Sequence, residues 1–275
     1  MGLTPWCWET SLSASLDPSD AKRRTIWRAL DAHRIPRDGV LLVHSAFKQF
    51  ALDGFSAEAV LDALCVYMEP GTLLLPTMSW RFVTPASPVF SELDTPSNTG
   101  VLTELFRTRR ATHRSLHPTH SVAGLGREAA AILSFHHRGE TPCHPESPFG
   151  LLAQADAHVL MFGIGMDCCT LIHHVEERIA PDLYVRPPEA AERYVCRDRR
   201  GRDHEMSLRR HLFLPRDYWQ FQDVLAAEGR LDVRRVGNSI SRHFRAVDMV
   251  DAVERTLTAK PAAIIAAPGQ RFRMM

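Results

Sequence analysis

Short apolar runs alternate along the chain with longer stretches in which apolar residues recur every three or four positions. The runs GVLLVHS (39–45), GTLLLPT (71–77) and HVLMFGIG (158–165) have the length and continuous apolar character of buried strands. Helical spacing occurs between them, at residues 57–68 and at VLTELFRTR (101–109). Because strand and helix signals alternate, we predict a layered α/β fold.

The two ends of the chain add further elements. A helix is predicted to begin near Asp17-Pro18-Ser19 and to run to about His33. In the last third, residues 194–206 predict a hairpin, and residues 217–229 and 246–259 predict two helices.

Composition and charge exclude several classes of protein. With 275 residues and 45% hydrophobic content the chain can bury a full core, and its net charge of +1 offers no general attraction for nucleic acid or an anionic membrane. Six irregularly spaced cysteines do not form the disulfide framework of a small secreted domain. Neither a signal-peptide pattern nor an apolar run of ~20 residues occurs. We therefore expect a cytoplasmic protein with a loose N-terminal extension (1–18) and a single domain (19–270).

Polar residues follow the predicted strands where each strand ends. His44 and Ser45 end the first, Thr77 and Ser79 follow the second, and residues 163–169 follow the third. In open α/β sheets, ligands bind beyond the carboxyl ends of the strands. These three strand ends therefore predict one shared site.

Three loops are expected to contribute to or stabilise its surroundings. The proline-rich segment 81–97 is long enough to line or close a site. His117 and His120 flank a Pro-Thr turn, and Ser147 is placed to cap a short helix that Pro148 begins.

The segment GIGMDCCTLIHHVEERI (163–179) predicts a strand end, a glycine-rich turn and a helix. Gly163 and Gly165 permit a tight turn and close approach of a ligand, and Thr170 is expected to cap the helix. Free N–H groups at such a helix start favour an anionic ligand, so the turn is a candidate anion cradle.

On that helix, His173 and Glu176 are three residues apart and therefore neighbours. A carboxylate that holds one ring nitrogen leaves the other to accept a proton, which is a general-base unit. His174 and Glu177 repeat the spacing on a face rotated by about 100°, so both pairs cannot face one crevice. The alternative interpretation is a surface helix with weak ion pairs.

A zinc site is a further alternative. His173 and Glu176, with His120 or Cys168, would supply three ligands and leave one open position. Adjacent His173 and His174 diverge around the helix, however, and do not have the spacing of helical zinc ligands.

Seven motifs in order resemble those of the aminoglycoside 3-N-acetyltransferase family, over roughly residues 20–260. They are LVHSAF, GTLLLPT, SNTGVLTELFR, RSLHPTHS, ESPFGLL, GIGMDCCTLIHHVEERI and VGNS. The resemblance implies transfer of an acetyl group from acetyl-coenzyme A to an amine, without a metal. It also implies a layered α/β/α fold with a central mixed sheet, unrelated to the GNAT acetyltransferases. The expected partner is a small-molecule amine, with a homodimer as the candidate assembly.

The resemblance also implies roles for individual residues. His173 would be the base and Glu176 its orienting carboxylate, with Thr170 or His120 stabilising the oxyanion, whereas His174 and Glu177 would be incidental. The residues implied in coenzyme A binding are His44, Ser45, Thr77, Ser79, Ser121, Gly163 and Gly165. Further candidate phosphate partners are Arg107, Arg109 and Arg110. Cys168 and Cys169 are expected to be bystanders in a direct transfer.

The acceptor is expected to depart from the family. Arginines are dense in the last third of the chain, at residues 197–203, 209–210 and 234–235. A basic surface near the site would repel a polycation, so we predict an amine on a neutral or anionic metabolite rather than a classical aminoglycoside. A zinc hydrolase and a non-catalytic coenzyme A-binding relative are the competing hypotheses.

Overall fold

A computed structural model describes residues 18–267 of the chain. The strands are β1 Val40–Ser45, β2 Thr72–Pro76, β3 Val89–Ser91, β4 His113–Arg114, β5 Val122–Gly126, β6 His158–Phe162, β7 Glu192–Arg197, β8 Asp203–Leu208, β9 Asp232–Val236 and β10 Ser239–Arg245. The helices are α1 Pro18–Ala32, α2 Lys48–Leu52, α3 Ala57–Tyr67, α4 Val101–Arg109, α5 Ala129–Leu133, α6 Pro148–Leu151, α7 Leu171–Ile179, α8 Pro181–Tyr184, α9 Gln220–Ala227 and α10 Ala246–Ala259. Residues 1–17 and 268–275 lie outside the described residues, and with them nearly all of the predicted extension.

Seven strands form one mixed sheet in the order β4-β5-β2-β1-β6-β10-β9. Strands β2, β1 and β6 are parallel neighbours, and the outer strands pair antiparallel. Alternate residues of β1 enter different cores. Leu41 and Val43 pack with α1, α3 and α4, whereas Val40 and Leu42 pack with α7, α9 and α10. These two helical layers confirm the predicted α/β/α fold.

A second, three-stranded sheet stands apart from the first, in the order β3-β7-β8. Its β7–β8 hairpin is the one predicted from residues 194–206. The proline-rich segment 81–97 was expected to be a loop throughout, and this is wrong in part, because Val89–Ser91 forms β3 and pairs parallel with β7. Phe90 has no exposed surface and packs in a small core with Tyr194, Cys196 and Met206 of the hairpin, which holds this segment in place.

Helices and strands predicted from spacing agree closely with the observed ones. Helices α4 and α10 have the predicted bounds, and β1 begins one residue later than predicted. Within the described residues, every helix is too short or too polar to cross a bilayer.

Candidate functional site

An open cavity of about 810 Å³ lies where the parallel strands β1, β2 and β6 end. His44 and Ser45 contribute from β1, Met78 from the chain after β2, and residues 167–170 from the turn after β6. The start of α4 and the segment 210–218 complete the wall. The three strand ends therefore meet at one cavity, as the sequence predicted.

His173 and Glu176 form the predicted pair on α7. His173 Nδ1 lies 2.7 Å from Glu176 Oε2, and His173 lines the cavity while the Glu176 side chain has no exposed surface. Because Nδ1 is engaged with the carboxylate, Nε2 is the ring nitrogen left for a ligand.

Two residues outside the predicted set fix this carboxylate. Arg216 Nε donates to Glu176 Oε1 at 3.0 Å, and the Tyr218 hydroxyl lies 3.0 Å from Oε1 and 2.9 Å from His173 Nδ1. Burial alone would raise the pKa of Glu176, but His173 and Arg216 lower it to about 2. Glu176 is therefore an ionised acceptor for the imidazole at neutral pH.

The second histidine–glutamate pair, which was expected to be incidental to the site, makes buried hydrogen bonds of its own. His174 Nδ1 donates to the Cys143 carbonyl at 2.8 Å, and Glu177 accepts from the Cys143 amide at 2.8 Å. Glu177 Oε1 also lies 2.6 Å from His211 Nε2. His211 lines the cavity, and its ring stacks on that of His173 at 4.0 Å between centroids. The two residues anchor a neighbouring loop and a second cavity histidine.

The histidines of the 114–122 segment have separate positions. The buried His117 ring accepts from the amides of Thr119 and His120, so it stabilises the turn. His120 lines the cavity, and its Nδ1 lies 2.7 Å from the Thr119 hydroxyl. Its ring centroid is 6.5 Å from that of His173, which places His120 beside the candidate base.

The predicted coenzyme A residues divide into two groups. His44 and Ser45 line the cavity, and the buried His44 Nε2 has no hydrogen-bond partner among the described residues. Thr77, Ser79 and Ser121 are buried and do not line it. Their hydroxyls join the β2 end to the 118–121 turn.

Arg114 explains the positions of two of these hydroxyl residues. Its buried guanidinium donates to the Thr77 carbonyl at 3.0 Å and to Ser121 Oγ at 3.1 Å. Burial lowers the pKa of Arg114 to about 9. The Thr77–Ser121 contact is thus part of a buried polar network behind the cavity wall.

The glycine-rich turn also differs from the simple anion cradle. Gly163 has φ +72°, and a side chain there would meet a backbone oxygen of Ala46 at 2.9 Å. A side chain at Gly165 would collide with Asp167 and Trp219. Neither glycine lines the cavity, although Ile164 between them does, and at both positions the lack of a side chain avoids a clash. Thr170 lines the cavity at the start of α7, but its side chain makes no capping hydrogen bond, contrary to prediction.

Sequence reasoning did not assign the start of α4 to the site. Residues 98–103 line the cavity, and α4 begins after Gly100 without a side-chain cap. The first N–H groups of a helix have no partner within it. Asn98 Nδ2 is buried and unpartnered among the described residues. The signal was present in the motif SNTG, whose small polar residues precede a helix.

Most of the predicted basic surface is neutralised. Arg107 pairs with Glu104, Arg109 with Glu58 and Arg110 with Asp62, and none of these arginines lines the cavity. In the last third, Arg197, Arg199, Arg202 and Arg234 pair with carboxylates. The arginines that reach the cavity are Arg210 and Arg216.

The described residues do not assemble the zinc ligands considered from sequence. Among them, the group that could hold a metal is Cys143, Glu177 and His211, without His173, Glu176 or His120. Glu177 already contacts His211 Nε2 and accepts from the Cys143 amide, and burial raises the pKa of the Cys143 thiol well above its usual range. Cys168 and Cys169 are both free thiols, so the adjacent pair is not bridged.

Comparisons with known sequences point to one family. The profile of the family described as aminoglycoside 3-N-acetyltransferase matches residues 42–258. Aminoglycoside N(3)-acetyltransferase VIII of Streptomyces fradiae is 31% identical over 214 residues, which are 72% of this chain and 73% of that protein. The SPbeta prophage-derived aminoglycoside N(3')-acetyltransferase-like protein YokD of Bacillus subtilis is 26% identical over 255 residues, or 85% and 91% of the two chains.

Solved structures share the fold. The crystal structure of YokD from Bacillus subtilis matches with a TM-score of 0.72 at 24% identity, over 87% of this chain and 94% of that one. AAC-IIIb, solved as a binary complex with CoASH, matches with a TM-score of 0.69 at 20% identity, over 90% and 98%.

Proposed function

The chain belongs to the aminoglycoside 3-N-acetyltransferase family, and from that premise we propose that His173, held by Glu176, takes the proton from an acceptor amine. The enzyme is an acyl-coenzyme A-dependent N-acetyltransferase, and acetyl-coenzyme A is its cosubstrate. One observation carries the proposal: the 2.7 Å contact between His173 Nδ1 and a fully buried, arginine-paired carboxylate, with the same imidazole lining the cavity. General-base catalysis of this kind contributes about 10²–10⁴-fold to a rate.

In the proposed reaction the amine attacks the thioester carbonyl directly. His173 Nε2 accepts the amine proton, and the imidazolium that forms is stabilised by ionised Glu176. Thr170 and His120 both line the cavity, with the His120 ring 6.5 Å from that of His173, and they are the proposed oxyanion donors. Collapse of the tetrahedral adduct forms the amide and releases coenzyme A thiol.

The proposed coenzyme A path runs past the β1 end to the start of α4. Two unpartnered buried atoms on this path, His44 Nε2 and Asn98 Nδ2, support it because buried polar atoms without partners are uncommon unless a ligand or water completes them. The uncapped N-terminus of α4 is suited to a phosphate group. Ser45 lies beside His44 in the wall. We assign Thr77, Ser79, Ser121, Gly163 and Gly165 to support of this wall rather than to contact with the cofactor.

The proposed acceptor is a neutral or anionic small-molecule amine. Several relatives are described as aminoglycoside acetyltransferases, and aminoglycosides are polycations. Here the cavity wall contains one carboxylate, Asp167, together with Arg210 and Arg216. Arg216 is paired with Glu176 and Arg210 with Glu192, so both guanidinium charges are compensated, and a polycation would find the single counter-charge of Asp167 in this wall.

The test combines a base variant with a panel of acceptors. His173→Ala should lower kcat by about 10²-fold or more while coenzyme A still binds in a calorimetric titration. His174→Asn is the matched control, because His174 is adjacent but bonds to the Cys143 carbonyl away from the cavity, and Asn retains a donor. Unchanged turnover by His173→Ala would remove His173 as the base. Acetylation of a kanamycin-type aminoglycoside as fast as the best amino sugar phosphate would refute the acceptor assignment.

A further inference from the structure

Two imidazole–carboxylate pairs lie side by side at the cavity. His173 is held by Glu176, and His211 is held by Glu177 at 2.6 Å. The two rings stack, with an interplanar angle of 17°. His211 Nδ1 has no hydrogen-bond partner among residues 18–267, and the residue lines the cavity. Each pair thus has one ring nitrogen on a buried carboxylate and the other available to a ligand.

The surroundings of the two carboxylates differ in charge. Glu176 accepts from the Arg216 guanidinium and from Tyr218, and both stabilise its ionised form. Glu177 accepts from the Cys143 amide, and His211 is the one ion-pair partner it has among the described residues. Of these two neighbouring carboxyls, Glu176 therefore accepts from a cation, whereas Glu177 accepts from a neutral amide.

This difference separates the protonation of the two pairs. Glu176 is held ionised, as described above, whereas burial raises the pKa of Glu177 to about 7, against opposing hydrogen bonds from Thr141 and the Cys143 amide. Burial and the adjacent His173 ring keep the pKa of His211 well below its usual range. Near neutral pH Glu176 is therefore ionised beside His173, whereas Glu177 still holds a proton to give.

We propose that His211 donates the proton that coenzyme A sulfur takes up as it leaves, and that Glu177 supplies His211 with a proton in its place. The proposal rests on the function proposed above and assigns the second half of the same reaction. Nitrogen and sulfur are bonded to the same carbon in the tetrahedral adduct, so two rings in contact are placed to serve both atoms. His120 is less suited as the proton donor, because its Nδ1 contacts the Thr119 hydroxyl rather than a carboxyl that could return a proton to the ring.

The step balances without a further reactant. As the C–S bond breaks, the electron pair remains on sulfur and takes the Nδ1 proton of His211, while the Glu177 proton moves to His211 Nε2. His173 has meanwhile gained the amine proton. The ionised Glu177 and the charged His173 are restored by proton exchange with solvent. The net reaction converts an amine and acetyl-coenzyme A into an amide and coenzyme A thiol.

Chemical rescue tests the direction of proton transfer. His211→Ala should lower kcat with acetyl-coenzyme A by about 10²-fold or more and leave a space open to the cavity. Small imidazoles and amine buffers added to this variant should restore the rate, and the stronger acids of the series should restore it more. Rescue of His173→Ala should instead increase with base strength. No rescue of His211→Ala, or rescue that increases with base strength, would overturn the proposal.

Two further variants separate proton donation from packing. His211→Phe keeps a ring against His173 without a proton, and it should be as slow as His211→Ala; recovery of the wild-type rate would mean that His211 acts by stacking alone. Glu177→Gln cannot resupply a proton and should lower kcat while leaving the KM for acetyl-coenzyme A unchanged. Calorimetric binding of coenzyme A establishes that each variant is folded. If wild-type protein acetylates no amine, the proposed function itself has failed, whereas active wild type with an unrescued variant refutes His211 alone.

Discussion

Adjacent glutamates on α7 should respond to the same substitution with opposite changes in stability. We predict that Glu176→Gln destabilises the protein at pH 8 and that Glu177→Gln stabilises it. Glutamine is nearly isosteric with glutamate, so packing is retained in both variants and the main change is the loss of a charge. At Glu176 the amide would leave the Arg216 guanidinium without its counter-charge. At Glu177 it can still accept from the Cys143 amide and can donate to His211 Nε2.

The magnitudes follow from the two carboxyl pKa values. The pKa of Glu176 lies at about 2 and that of Glu177 at about 7, on either side of the ordinary value near 4.5. Each pKa difference corresponds to ~3 kcal/mol of folding free energy, with opposite signs. Both side chains are buried, so solvent screening does little to reduce either contribution.

The pH windows of the two effects are different. The Glu176 contribution is present above pH 4.5 and is lost as the pH falls through about 2, because the depressed pKa means that the folded state favours the ionised form. The Glu177 contribution has the opposite sign. Its raised pKa favours the protonated folded state, so its stabilisation is full below about pH 4.5 and is lost as the pH rises through about 7.

Urea unfolding of wild type and both variants between pH 4.5 and 8.5 measures these contributions. Glu177→Gln should exceed wild type by up to ~3 kcal/mol at pH 8 and approach it near pH 4.5. Glu176→Gln should be less stable than wild type across this range. The reasoning is refuted if Glu177→Gln is no more stable than wild type at pH 8, or if its advantage increases toward low pH.

Three other predictions follow from the same structure. Tyr218→Phe removes the hydroxyl that contacts both His173 and Glu176. The hydrogen bonds that orient the pair would lose ~1–2 kcal/mol, which should lower kcat about 10-fold in a steady-state assay. Protein incubated with acetyl-coenzyme A and no amine should keep its intact mass, because direct transfer forms no acetyl-enzyme; an added acetyl group on a cysteine would contradict direct transfer. Gly163→Ala should lower Tm more than Gly229→Ala, since both glycines have positive φ but only the first would meet backbone within 3 Å, and equal losses would show that φ alone decides.

The fold was predictable because its elements carry local signals. VLTELFRTR and AVDMVDAVERTLTA have helical spacing from end to end, and the observed α4 and α10 match them. The strand β3 was missed because its three residues are flanked by prolines and owe their conformation to pairing with β7, which lies about a hundred residues later. Short strands fixed by distant partners leave little trace in local periodicity.

The site was predictable to the extent that its residues share one helix or one strand end. His173 and Glu176 are three residues apart, so their contact follows from helical geometry. Arg216 and Tyr218 come from a segment some forty residues later, and nothing in the local pattern around them indicates that they reach Glu176. The contrast between Glu176 and Glu177 depends on these distant partners. It could not be inferred from two identical side chains at adjacent positions.

The destabilising carboxyl at Glu177 is itself informative. A glutamine at that position could make the same contacts to the Cys143 amide and to His211 without the free-energy cost of ionising a buried carboxyl. Stability alone would therefore favour the amide, whereas only a carboxyl can release and regain a proton near neutral pH. A group that opposes folding and lies one ring away from a catalytic cavity is expected where its proton is used. If Glu177→Gln is both more stable and slower than wild type, the two measurements together identify the lost stability with proton delivery to the leaving thiolate.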